Sequence, residues 1–162
     1  MRLLVPFDGS ALAEAALDRA AQFSETFDAE LLAVTVIPNG NAAYARDRGW
    51  LDADEPFDRE RIVSRLRERV QAAAPSASFE HIVVDRSAPY GTIAVRIRTL
   101  ARELNAAMVF VGSENAGRIV TSVSSVGANV ATEDSYDVVI VRSVQPAPSR
   151  GRSDSADERQ RR

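Results

Sequence analysis

The sequence predicts an α/β domain in which helices wind over both faces of a five-stranded, doubly wound parallel sheet, and three observations support this. Short apolar runs alternate with stretches whose apolar residues recur at three-to-four spacing. The strand runs are continuous rather than alternating, as strands buried on two faces must be. Turn residues close the first two of them, Asp8-Gly9-Ser10 and Pro38-Asn39-Gly40. With 162 residues, 45% of them hydrophobic and 27% charged, the chain can fill one such core, which excludes the disordered and fibrous classes.

Taken in order, Leu3-Leu4-Val5 centre a first strand over residues 2–7. Leu12, Ala16, Ala20 and Phe23 form one stripe of a helix over residues 11–27, with Ser10 placed as its N-cap. Residues 31–37, rich in β-branched side chains, are the second strand. The following residues 39–57 hold Tyr44 and the only tryptophan, Trp50, and are long for a structureless connection. These aromatics have three readings: a cap on a ligand crevice, a dimer contact, or an anchor for the loop. A charged helix starting near Pro56 and ending near Ala74 carries the narrow stripe Ile62, Val63, Leu66 and Val70. Its Arg65, Arg67 and Arg69 read as a solvated face, or alternatively as a partner surface.

A third strand at residues 79–85 includes His81, and Ile93, Ile97, Leu100, Ala101 and Leu104 pattern a helix over residues 89–105. A fourth strand at 107–111, a polar loop at 112–122, a short helix at 123–132 and a fifth strand at 137–141 complete a single domain over residues 1–143. Residues 144–162, rich in Arg and Ser and without periodicity, read as a disordered tail.

Composition removes several chemistries. There is no cysteine and no lysine, and His81 is the only histidine. Thiol nucleophiles, zinc-thiolate sites, Schiff-base lysines and a P-loop lysine are therefore excluded. His81, without an evident second ligand, reads as a core or edge histidine. The net charge of −3 with a basic tail leaves the domain itself acidic, which argues against nucleic acid as a partner. No apolar run approaches a membrane span and the first residues enter a strand directly, so a cytoplasmic location without membrane contact is expected.

Open doubly wound sheets bind ligands beyond the carboxyl ends of the strands, where the strand order reverses. That rule points to the loops at residues 6–10, 36–40 and 112–125. Asp8 can accept hydrogen bonds from a sugar or base there, or serve with Ser10 as a turn and cap residue. Gly112-Ser113-Glu114-Asn115-Ala116-Gly117-Arg118 superficially matches a P-loop, but Arg118 replaces the lysine and Ile119 follows where a magnesium-binding hydroxyl is required. Thr121, Ser122, Ser124 and Ser125 at the next helix start offer an anion cradle, or simply caps.

Leu4-Val5-Pro6-Phe7-Asp8-Gly9-Ser10, the second strand with Pro38, Val109-Phe110-Val111-Gly112-Ser113, Ser125-Val126 and Asp137-Val138-Val139-Ile140-Val141-Arg142 occur in the order and spacing of a known family. Over residues 1–143 the chain resembles the universal stress protein (UspA) family. The resemblance implies a Rossmann-like, adenine nucleotide alpha hydrolase-like fold and a homodimer formed through the last strand, residues 137–142. The family has members that bind ATP and members that do not, and binders carry G-x-x-G-x9-G-[ST] after the fourth strand. Here Gly112 matches the first glycine, Asn115 stands at the second, and Ser124-Ser125 stand for the closing pair in a loop one residue shorter. Pro6, Phe7 and Asp8 match adenine and ribose contacts, Val36 and Val111 match positions near the base, and Val126 follows the cradle.

The resemblance thus implies ATP, with magnesium as its companion, held as a regulatory ligand by Pro6, Phe7, Asp8, Val36, Val111, Gly112, Asn115, Ser124, Ser125 and Val126. No catalytic residue or resident metal is expected, because nothing near the phosphate loop supplies a catalytic base. Two alternatives stand beside this reading. One is an interaction module of the same fold that binds no nucleotide, and the other is a slow ATPase or self-phosphorylating protein using Ser124 or Ser125.

Overall fold

The computed structural model describes residues 1–89, 91–119 and 135–144. Strand β1 (Arg2–Pro6) leads into helix α1 (Ala11–Phe27), and β2 (Glu30–Pro38) follows. Two helices, α2 (Ala42–Asp47) and α3 (Arg59–Ala73), precede β3 (Ser78–Val84). Helix α4 (Thr92–Glu103), β4 (Met108–Gly112), α5 (Ser113–Ile119) and β5 (Asp137–Val141) complete the described elements. All strand pairings are parallel and the sheet order is β3-β2-β1-β4-β5, so the order reverses between β1 and β4.

Side-chain alternation along the strands splits the core into two layers. Leu3, Val5, Leu31, Ala33, Ile37 and Phe110 pack against Ala16, Leu17 and Ala20 of α1 and Ile62, Leu66 and Val70 of α3. Leu4, Val34, Val36, Val109 and Val111 face the other way, onto Ala94, Ile97 and Ala101 of α4 and Ala116 and Ile119 of α5. Burying a side chain such as Leu17 contributes about 1.5–3 kcal/mol, and this paired burial makes the central strands continuously apolar. The edge strands β3 and β5 each carry exposed residues, among them His81 and Ile140.

Most predicted elements occupy their expected places, with three corrections. The connection over residues 39–57 contains α2, capped by the Asn41 side chain accepting from the Tyr44 N–H at 3.0 Å. Helix α3 starts at Arg59 rather than near Pro56, because the Asp58 carboxylate caps the Arg61 N–H at 3.1 Å. The predicted polar loop after β4 begins as helix α5, since Ala116 and Ile119, three positions apart, both enter the second core layer. The predicted helix over residues 123–132 and all but the first residue of the predicted tail lie outside the described residues. Among the described residues no helix is long and apolar enough to cross a membrane.

Candidate functional site

The turn that ends β1 is set by its own side chains. Gly9 takes φ +78°, a left-handed conformation that side-chain-bearing residues rarely adopt. The Ser10 N–H donates to Asp8 Oδ1 at 2.9 Å, and Ser10 Oγ accepts from the Ala13 N–H at 3.2 Å to cap α1. Asp8 is therefore both a turn residue and a carboxylate presented at the carboxyl end of the sheet. Beneath it the buried Thr35 hydroxyl donates to the Phe7 carbonyl and ties β2 to β1.

Next to this turn lies a cavity of about 290 Å³, near the lower end of small-molecule sites. Pro6, Phe7 and Asp8 from the end of β1 and Val34, Val36 and Pro38 from β2 line it. The opposite wall comes from the β3–α4 connection and from Ile93, Ala94 and Ile97 of α4. Tyr44, Arg48 and Trp50 close a third side. The lining is thus an apolar slot with charged groups at its border, chiefly Asp8, Arg48, Asp85 and Arg86.

Five of the residues named from the sequence, Pro6, Phe7, Asp8, Val36 and Asn115, meet in this cavity. Val111 lies buried in the core layer behind it and is not in its lining. Gly112 is also outside the lining, and its lack of a side chain has a packing reason: a Cβ there would lie 2.8 Å from the Cβ of Leu12. Ser124, Ser125 and Val126 lie outside the described residues. The sequence reading did not include the β3–α4 wall or Arg48. Only the three-to-four spacing of Ile93 and Ile97 hinted at them, by marking a buried face without saying what it faced.

The connection carrying Arg48 and Trp50 is anchored from below. Trp50, 3% exposed, donates its indole N–H to the Asp8 carbonyl at 2.7 Å and packs edge-on against Tyr44. Arg65 donates to the Trp50 carbonyl at 3.0 Å and to both oxygens of Glu55. Arg61 joins the same carboxylate at 3.0 Å. Hydrogen bonding from Arg65, then from the Asp52 N–H and Arg61, holds the Glu55 carboxyl well below its usual range, at about 2. Asp85, on the far border of the cavity, is also held low, by the hydroxyl and the N–H of Ser87.

The α3 arginines are solvated in part, with Arg67 and Arg69 exposed and Arg65 half-buried, but Arg65 and Arg69 also make specific bonds that the sequence did not show. Arg65 and Arg69 are four positions apart on one helix face beside the buried stripe, which aims both at the β1 turn and its cover. Arg69 donates to the Gly9 carbonyl at 2.7 Å and to Glu14 at 2.8 Å. Arg67 instead lies 5.7 Å from the Phe79 ring centroid.

Residues 1–142 match the model of the universal stress protein family. Among solved structures, a universal stress protein in complex with cAMP is 28% identical over 88% of this chain and 96% of its own, with a TM-score of 0.51. A family member from Burkholderia pseudomallei is 21% identical over 90% of this chain and 96% of its own, with a TM-score of 0.52. The universal stress protein from Archaeoglobus fulgidus in complex with dAMP is 14% identical over 87% of this chain and 95% of its own, with a TM-score of 0.51. At these last two identities the likeness is one of fold. No curated protein sequence matches the chain. With the family match spanning the whole sheet and its switch-point crevice, the chain belongs to the universal stress protein family.

Proposed function

We propose that this chain binds an adenine nucleotide, ATP in the first instance, as a regulatory ligand in the crevice beside Asp8. The observation that carries the reading is the pairing of two chemistries in one cavity. Val34, Val36, Val84, Ile93 and Ile97 make an apolar slot suited to a flat base, and Asp8 at its border offers carboxylate oxygens to the hydroxyls of a ribose. The related protein in complex with cAMP supports adenine as the base. Of the described part of the loop after β4, Asn115 and Ile119 reach the cavity, and Asn115 is the polar one of the two. Magnesium enters the proposal only as the companion of a triphosphate, because among the described residues no three His, Cys, Asp or Glu side chains cluster to hold a metal.

The same reading includes a cytoplasmic homodimer joined through β5, an edge strand whose Ile140 is 43% exposed. Calorimetry of the purified protein with ATP tests the nucleotide reading, with native mass spectrometry to detect nucleotide carried through purification. Saturable heat and a ligand-dependent rise in melting temperature are expected. Neither effect at millimolar ATP would leave the ligand-free interaction module as the better account.

A further inference from the structure

Among the described residues two arginines line the crevice, and they are held very differently. Arg86 is exposed on the β3–α4 connection. Arg48, the C-cap of α2, is held by two partners. Its Nη1 donates to Asp8 Oδ2 at 2.9 Å, its guanidinium carbon lies 4.8 Å from the Tyr44 ring centroid, and its side chain is only 31% exposed. Its backbone is equally constrained. The Gly49 N–H donates to the Arg46 carbonyl and the Trp50 N–H to the Ala45 carbonyl, both at 2.9 Å, and Trp50 is pinned in turn to Asp8.

The remaining guanidinium N–H groups of Arg48 have no acceptor among the described residues. A planar cation with unspent donors, stacked on a ring and oriented by a carboxylate at the edge of a ligand cavity, is preorganised to receive an anion. It also changes what Asp8 can tolerate nearby. A lone carboxylate would repel a phosphate, whereas the Asp8–Arg48 pair is formally neutral, and its carboxylate oxygens keep lone pairs for a hydroxyl.

We propose that Arg48 is a specificity-determining residue of the crevice, donating to a phosphate oxygen of the bound nucleotide and so selecting nucleotides over neutral nucleosides. The inference rests on the adenine-nucleotide reading above. It assigns to the α2 connection a share of phosphate recognition that the loop after β4 would otherwise carry alone.

The test is calorimetry of AMP and of adenosine against the unaltered protein, Arg48→Ala and Arg48→Lys, with the melting temperature of each variant recorded. Arg48→Ala is expected to weaken AMP about tenfold or more while leaving adenosine within about twofold. Arg48→Lys should recover part of the loss, because it restores the charge without the planar fork. Equal weakening of AMP and adenosine would overturn the proposal, reducing Arg48 to a support for Asp8, and so would unchanged binding of both. If Arg48→Ala fails to fold, the ratio of AMP to adenosine affinity in Arg48→Lys decides, and an unchanged ratio overturns the proposal. If the unaltered protein binds neither AMP, adenosine nor ATP, the nucleotide reading itself falls and this inference with it.

Discussion

The indole N–H of Trp50 donates to the main-chain carbonyl of Asp8 over 2.7 Å, joining residues 42 positions apart. Through that bond one wall of the crevice and the carboxylate at its border become a single hydrogen-bonded unit. Trp50→Phe keeps most of the ring and removes the donor. It should cost about 1–2 kcal/mol, because the Asp8 carbonyl loses its partner. A fall in melting temperature of roughly 2–8 °C is expected by calorimetry for a chain of this size. A Phe variant as stable as the unaltered protein would show that ring packing alone holds the connection.

Glu55 gives this region an acid dependence whose sign is fixed. Its folded pKa of about 2 lies below the ordinary value of 4.5 because Arg65 first, then the Asp52 N–H and Arg61, favour the ionised carboxylate. Its stabilising contribution is therefore complete above about pH 4.5 and is lost as the pH falls toward about 2. Glu55→Gln should lower the melting temperature at neutral pH and flatten the stability profile between those limits. An unchanged profile in thermal melts across that range would mean that other carboxylates set the acid limit.

Gly112 is expected to matter for packing before any ligand is added. An alanine Cβ there would meet Leu12 at 2.8 Å, closer than carbon atoms tolerate, so β4 and α1 would have to move apart. Gly112→Ala should destabilise the ligand-free protein by about 1–3 kcal/mol, read by urea titration. A variant of unaltered stability that had lost only ATP binding would return the glycine to a phosphate role.

Edge pairing through β5 predicts a dimeric mass by light scattering, and Ile140→Arg should shift it toward the monomer by placing a charge on the exposed edge. A monomeric mass for the unaltered protein at working concentration would contradict the proposed dimer.

What the sequence made legible followed from local pattern. Leu3-Leu4-Val5 and Val109-Phe110-Val111, short apolar runs bounded by turn residues, read as strands buried on two faces, and Ser10 could be seen as a cap because its bond is made three residues away. Helix α2 escaped because it buries only Ala45, which leaves no apolar period to detect. The switch-point rule pointed to the strand ends that hold Asp8, Phe7 and Val36, the family resemblance singled those residues out, and all three line the same cavity. Arg48 was not found in this way, since it reaches Asp8 across 40 positions of chain, and only the folding of α2 over the sheet brings the charges together. Arg65 and Arg69 looked like surface charge for the same reason: their acceptors, Glu55, Gly9 and Glu14, lie on other segments.

The most direct test of the central claim, that an adenine nucleotide sits against Asp8, is the calorimetric affinity for ATP of Asp8→Ala beside that of the unaltered protein. A carboxylate hydrogen-bonding a ribose contributes about 1.5–3 kcal/mol, so the account predicts roughly 10- to 100-fold weaker binding in a variant that still melts cooperatively. ATP bound by both proteins with the same affinity would contradict it.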